Sequence, residues 1–334
     1  MDKNSSNKER RSVAEVPLTR TSNHPSVSGP KGAALLKATP QSEKQSWFSQ
    51  WLRNYFESKL ATLGFIITLS LLLLAILAPW ITPQNPYDLM QLDILDSRLP
   101  PGSENGMGTF TYWLGTDGQG RDLYSAVLYG LRISLLVGLG SAAIASVIGT
   151  IVGVASAFFG GKVDAFIMRV VDLMLSFPSI LVAMMILAFL GKGVGNVILT
   201  LVILEWAYYA RTARGQALAE RQKEYVEAAV NLAIPQWRLM LVHILPNCLP
   251  PLLVIATLQI ARAITLEATM SFLGLGVPVT EPSLGLLISN GNQFMLSGEY
   301  WISVFPGLAL LLTIFSLNLV GDRLRAVFNP RGRQ

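Results

Sequence analysis

Residues 211–246 read RTARGQALAERQKEYVEAAVNLAIPQWRLMLVHILP. This is the longest internal stretch polar enough to leave a bilayer, and long apolar runs flank it on both sides. It carries five basic residues, Arg211, Arg214, Arg221, Lys223 and Arg238. Within it, 224–233 has the period of an amphipathic helix. Val226, Ala229, Val230 and Ala233 fall at i, i+3, i+4 and i+7, with Glu224, Glu227 and Asn231 on the opposite face. Pro235 is expected to end the helix by the residue before it. The expectation is a short helix, small on its apolar face, held at a membrane surface between two spans. Its Ala side chains allow close backbone approach by a partner, and Glu227 offers a charge to an Arg or Lys.

Composition sets the class. Of 334 residues, 51% are hydrophobic and 14% charged, whereas soluble domains are about a quarter charged. The chain therefore reads as an all-α integral membrane protein. A net charge of +5 would suit nucleic acid, but the positive residues are distributed as membrane topology requires, so no nucleic-acid partner is expected. Cys248 is the lone cysteine and His24 and His243 are the two histidines. An internal disulfide and a Cys- or His-rich metal site are thereby excluded.

Outward from that stretch, residues 1–45 are rich in Ser, Lys, Arg and Pro without periodicity, and read as a disordered cytoplasmic tail. The first apolar run starts too late for a cleaved signal peptide. Trp47, Phe48, Trp51, Tyr55 and Phe56 form an amphipathic lead-in suited to headgroups. A span follows over 60–80, with the roughly 20 apolar residues that a hydrocarbon core about 30 Å thick needs. Five more hydrophobic regions lie at about 133–159, 166–190, 194–210, 249–273 and 301–320, making six. The second is rich in small residues, as helix-packing faces in membranes are. Pro178 is expected to kink the third.

Lys and Arg in the connecting segments give the orientation. With both termini cytoplasmic, the inside segments are 160–169, 211–248 and the C-terminus. The outside segments are the acidic stretch 83–130, the turn 191–196 and 274–300. The organisation expected is a tail (1–45), a lead-in, first span and extracytoplasmic segment (46–130), a five-helix core (131–325) and a C-terminus (326–334).

Four charges sit in or near spans: Asp172, Glu205, Arg262 and Glu267. Such residues are costly in lipid and face the protein interior or a cavity. Two readings stand: a polar lining of a translocation path, or interhelical structural pairs. Arg262 and Glu267 are five residues apart, about 140° around a helix, so each needs a partner on another helix. The chain has no G-x-x-x-x-G-K-[ST] phosphate loop, and Gly161-Lys162 and Gly191-Lys192 lack its spacing. No nucleophile–base set stands out, so catalysis within the chain is not expected.

Glu227-Ala228-Ala229, then Ala233, then His243-Ile244-Leu245-Pro246, resembles the EAA loop of ABC importer permeases. The stretch from Glu227 to Pro246 spans twenty residues, the family's spacing. The family usually has Gly where this chain has Ala233. A Gly would ease a left-handed helix end, and with Ala the expectation is a turn made differently, by Pro235. Gly115-Thr116-Asp117, Gly120-Arg121-Asp122, Ser125, Gly130, Arg132 and Ser134 resemble the second permease of dipeptide and oligopeptide importers. Ala126 departs from the usual Arg. Here Asp117 and the glycines read as turns and a helix cap packed on the bundle, or alternatively as contacts to a substrate-delivering protein. Leu266-Glu267-Ala268 through Gly276, Pro282-Ser283, Gly321-Asp322 and Asn329-Pro330-Arg331 look like the same branch, although Leu284 replaces its usual Trp. The resemblance covers roughly 47–331.

It implies a type I ABC importer permease fold in the bacterial inner membrane. It implies a sibling permease forming a heterodimer within the lipid bilayer, two ATPase subunits and an extracytoplasmic solute-binding protein. ATP and Mg2+ would act on the ATPases, and this chain would hold no cofactor. Coupling would fall to Glu224, Glu227, Ala228, Ala229, Ala233, Pro235, Leu245 and Pro246. The implied cargo is a dipeptide or short peptide. A nickel chelate, glutathione or an opine are the alternatives, and an ion-coupled secondary transporter stands further off, since no internal repeat is visible.

Overall fold

The computed structural model describes residues 53–328. The tail 1–45, the aromatics Trp47, Phe48 and Trp51, and the Asn329-Pro330-Arg331 motif lie outside them.

The described chain is mostly helical, with one small hairpin and irregular segments over 82–122 and 273–283. Helix α1 is Lys59–Ile81, α2 Leu123–Phe159, α3 Gly161–Ser176, α4 Ser179–Leu190 and α5 Val194–Arg221. Helix α6 is Glu224–Asn231, α7 Leu245–Phe272, α8 Leu284–Asn292 and α9 Trp301–Phe328. Between α1 and α2, strands β1 (Ser103–Glu104) and β2 (Thr111–Tyr112) pair antiparallel, Ser103 opposite Tyr112. On α1, Leu60, Ile66, Leu73 and Ile76 are exposed, the arrangement of a helix whose outer face meets lipid rather than water.

Helix α2 is the axis. It runs 37 residues, about 55 Å at 1.5 Å per residue, and contributes to four apolar clusters, one of them joining Leu128 and Tyr129 to Ala78 of α1. Near its start Leu123, Leu131 and Leu135 pack with Ile264 of α7, Leu287 of α8 and Ile302 of α9. Further along, Val137 meets Leu187 of α4 and Leu201 of α5. At its far end Val154 and Ala157 meet Ala213 and Ala217 of α5, with Val226 and Ala229 of α6. The small residues of α2 explain its close fit to α5. A Cβ on Gly149 would strike the Trp206 carbonyl, and one on Gly153 would strike the Ala210 carbonyl. In a membrane, where apolar side chains gain little by leaving lipid, such backbone approach is a main source of helix association.

Three sequence expectations change. First, α2 begins at Leu123, ten residues before the span expected from 133, because Asp122 caps it and every residue from Leu123 to Leu131 but Tyr124 is buried by protein instead of lipid. Second, the kink at Pro178 is a full break: α3 and α4 are bent by 92°. Phe177 is extended (φ −94, ψ 146), as the ring of a following proline demands. Third, the count of six is not reached by length and apolarity. Among the described residues four helical stretches qualify, Lys59–Ile81, Leu123–Phe159, Gln236–Phe272 and Trp301–Phe328. The bent pair makes a fifth if it is one span. Helix α5 has 28 residues, but Asn196, Glu205 and Arg211 interrupt its apolar run, and it continues past residue 210 as a polar helix.

Candidate functional site: the α6 end and the buried charges

Helix α6 stands at the end of α5. It is shorter than expected, ending at Asn231 rather than 233. The reason is a Schellman motif. The Ile234 amide donates to the Ala229 carbonyl at 3.2 Å and the Ala233 amide to the Val230 carbonyl at 2.9 Å. This closure needs a left-handed residue at the position after the cap, and Ala233 supplies it with φ 53. The turn is therefore made at Ala233 itself, and the expectation that Pro235 would make it is corrected. Pro235 instead caps a further turn, Gln236–Arg238. A π-helical turn, Leu239–Ile244, then leads into α7. Pro246, in the first turn of α7, has no amide to return to Val242, which favours the wide turn before it.

The apolar face of α6 is narrower than the heptad pattern suggested. Val226 and Ala229 are buried against the bundle. Val230 is 59% exposed, and nearby Leu232 and Trp237 are 77% and 63% exposed. Glu224, Glu227 and Ala228 also face outward, and the Glu227 side chain makes no hydrogen bond or ion pair among the described residues. Ala233, Pro235 and Pro246 are exposed and Leu245 half-buried. Glu227, Val230, Asn231, Arg221, Gln236 and Leu239 line an open cleft of about 370 Å³.

Residues that the pattern did not single out hold α6 in place. Glu220, at the end of α5, accepts from Lys223 Nζ at 2.6 Å and from the Tyr225 hydroxyl at 2.7 Å. Asn247 of α7 donates to the same hydroxyl at 3.3 Å. Burial, then the Glu220 carboxylate, push the Tyr225 hydroxyl up to about 12. Four of the five basic residues of this stretch are likewise tied inward. Arg211 pairs with Asp172, Arg214 holds Asp164 through Nη2 at 2.6 Å, Arg221 donates to the Ala157 carbonyl, and Lys223 holds Glu220. The Arg214 guanidinium holds the Asp164 carboxyl below the usual carboxylate range. Asp172, expected near a span, is thus a partly exposed partner of Arg211 joining α3 to α5.

The other three charges lie inside the bundle and do not pair with one another at salt-bridge distance. Glu267 of α7 is buried and accepts from Ser134 of α2 at 2.9 Å and from Ser271 at 2.7 Å. Arg262 reaches Ser179 of α4 at 3.5 Å and stacks 4.2 Å from the Tyr208 ring of α5. Glu205 is 1% exposed, and neither carboxylate oxygen has a hydrogen-bond partner among the described residues. Arg262 is the opposite charge acting on it.

At the other end of α2, the 115–122 motif is buried. Asp117 and Arg121 are each 1% exposed and bond to each other at 2.8 Å. Arg121 also reaches the Val279 carbonyl at 3.3 Å. Asp122 caps α2 by accepting from the Ser125 amide at 2.8 Å, and its own amide donates to Gln84 at 2.6 Å. Thr116 Oγ1 donates to the Asp96 carbonyl at 2.5 Å. Gly115 and Gly120 take positive φ of 81 and 73, the turn geometry that glycine alone enters without strain. All six motif residues thus belong to one hydrogen-bonded cap.

Comparison with known proteins places this architecture. The family described as binding-protein-dependent transport system inner membrane component matches residues 145–334, more than half of the chain. The chain belongs to that family. Residues 46–101 match the N-terminal TM domain of oligopeptide transport permease C. The permease is 40% identical over 274 residues to the probable D,D-dipeptide transport system permease protein DdpC of Escherichia coli (strain K12), covering 82% of this chain and 88% of that one. It is 35% identical over 292 residues to the di/tripeptide transport system permease protein DppC of Pseudomonas aeruginosa (strain UCBPP-PA14), covering 87% and 93%. A permease chain from inward-facing MetNI, the methionine ABC transporter, shares the fold, with a TM-score of 0.52 and 22% identity over 61% of this chain and 97% of that one. This permease is therefore the membrane component of a binding-protein-dependent ABC importer with the type I permease fold. The long helices and exposed apolar faces are its membrane-spanning part.

Proposed function

We infer that the permease moves dipeptides or short peptides inward across the bacterial inner membrane, with α6 as the element through which separate ATPase subunits drive it. The observation that carries this reading is the outward face of α6. A free carboxylate, Glu227, lines an open cleft with the exposed Val230, and Leu232 and Trp237 of the same polar stretch are also left exposed. Exposed apolar residues near an unpaired charge are the features of a docking surface. The EAA-like spacing from Glu227 to Pro246 supports it, and the names of the relatives support peptides as cargo.

In this reading both termini and α6 lie in the cytoplasm, and the 83–130 segment lies outside. Residues 131–325 form the core, and a sibling permease completes a heterodimer. An extracytoplasmic binding protein delivers the solute, and ATP with Mg2+ acts on the two ATPase subunits. Closure of the ATPase pair pulls on α6. Its tether through Glu220, Tyr225 and Asn247 transmits the pull to α5 and α7, shifting the bundle between inward and outward access. Glu205 and Arg262, set between α5 and α7, are the buried charges that such a movement would re-pair.

The test is affinity purification of the tagged chain in mild detergent with mass spectrometry of its partners, followed by reconstituted uptake. Two ATPase subunits, a second permease and ATP-dependent, vanadate-sensitive dipeptide uptake are expected. A chain that purifies alone or as a stable homo-oligomer sinks the reading.

A further inference from the structure

A second concave site lies about 40 Å from α6, as judged by the 28 residues of α5 at 1.5 Å each. It is a cleft of about 530 Å³ lined by Tyr87, Arg132, Leu136, Thr280 and Glu281, among others, and it opens near Val194, the first residue of α5. A volume of this order suits a small solute. Arg132 is the lone charged residue in the 37 of α2. Its neighbours Leu131 and Ile133 are buried, so the backbone that carries it is fixed. Glu281 follows a tight turn, its amide donating to the Pro278 carbonyl at 3.0 Å, and the buried Pro282 and Ser283 behind it start α8. Elsewhere in the connecting segments Glu299 is paired with Arg98 at 3.4 Å. Arg132 and Glu281, by contrast, make no ion pair and no side-chain hydrogen bond among the described residues. Tyr87 lines the same cleft, held edge-to-face on Tyr129 at 5.0 Å. Burial and then Glu281 push its hydroxyl above the usual range while Arg132 pulls it back, so both charges act on the same ring.

One cation and one anion, fixed on separate elements of one cleft and left unpaired, form a receptor for a ligand with the opposite arrangement. We propose that this cleft holds a zwitterionic solute with free termini as it enters the permease, Arg132 taking the carboxylate and Glu281 the ammonium. The guanidinium fork matches a carboxylate in a bidentate manner, and the Glu281 carboxylate accepts from an ammonium. Tyr87 supplies an aromatic wall to the cleft. The proposal rests on the peptide reading above and adds to it the part of this chain that recognises the two ends of the cargo.

The test uses the complete transporter in nanodiscs without its binding protein. Equilibrium binding of radiolabelled dialanine is measured in competition with N-acetyl-dialanine and with dialanine amide. In the wild type, blocking either end is expected to weaken competition tenfold or more. Glu281→Gln is expected to weaken dialanine and to abolish the penalty for acetylation while keeping the penalty for the amide. Arg132→Gln is expected to do the reverse. A wild type indifferent to both blocks overturns the proposal, as do variants that keep both penalties or weaken all three ligands equally. Dialanine uptake by the full system, binding protein included, is measured alongside. Uptake without end-dependent binding in the nanodiscs overturns this inference alone. Absence of uptake overturns the peptide reading, and the cleft is then judged by the binding data, which support or overturn it on the same criteria.

Discussion

The two ends of the bundle are built from similar residues in opposite surroundings. At one end, Gly115 to Asp122 combines glycines, carboxylates and an arginine, and every one of its charges is buried and bonded into the segment that covers the start of α2. At the other end, α6 combines carboxylates, alanines and nearby arginines. There four of the five basic residues are bonded to neighbouring groups, while Glu224 and Glu227 stand free. Burial with satisfied hydrogen bonds marks a part that holds shape; exposure of a free charge among apolar side chains marks a part that awaits a partner. A charged motif thus has two meanings, and only its neighbours decide between them.

The largest effect should come from breaking the buried end. Arg121→Met leaves Asp117 buried without its cation, a loss of about 3–5 kcal/mol. The purified permease is expected to show a markedly lower thermal midpoint or a collapsed folded yield; an unchanged midpoint would mean that the cap is not fastened as described. The exposed end should respond differently. Glu227→Lys removes no internal bond, so the thermal midpoint should stay put. Co-purification of the ATPase subunits should nevertheless fall at least tenfold, about 1.4 kcal/mol of lost docking. Normal ATPase recovery with that variant would break the contrast between the two ends.

Two smaller changes sharpen it. Ala233 pays a steric penalty of about 1–2 kcal/mol for its left-handed backbone, partly offset by the greater chain entropy that a glycine would lose. Ala233→Gly is therefore expected to stabilise α6 by about 0.5–1 kcal/mol. Slower hydrogen exchange of the 226–234 amides would show it, and faster exchange would count against the left-handed turn. The smallest effect is in acid. The Asp164 carboxyl is held low by Arg214, so the folded state binds this proton less readily than the unfolded chain. The contribution of the pair is fully present above the ordinary carboxylate pKa and fades as pH falls through the lower folded value. Asp164→Asn should flatten the decline in thermal midpoint below about pH 4, and an identical decline would remove this pair from the account.

Much of this was legible in the chain of letters. Hydropathy located the apolar runs, and the EAA-like spacing located α6, because both are local patterns. Pro178 announced a disruption, but not its 92° bend. That angle goes with α3 turning back along α5, where Asp164 meets Arg214 across 50 positions. At 233, residue type pointed the wrong way, because alanine disfavours the left-handed region. The Schellman bonds and the packing of Ile234 against the cluster that buries Ala229 outweigh that preference. Glu220, Tyr225 and Asn247 carried no pattern of their own. Their only signal was being polar groups beside a helix end that had to be satisfied.

The sequence by itself determined the class of protein, the position of its apolar segments and the location of the EAA-like stretch that folds as α6. Those follow from what a bilayer demands of every 20-residue window and from spacing along one helix. The tertiary structure alone decided the state of each charge. Glu267 is held by a serine 133 positions away, Arg262 is stacked on Tyr208, Asp172 is drawn to Arg211, and Glu205 is left without a hydrogen bond among the described residues. The free energy of a buried charge depends on the dipoles and charges within a few ångströms, and the fold, not chain order, chooses those neighbours.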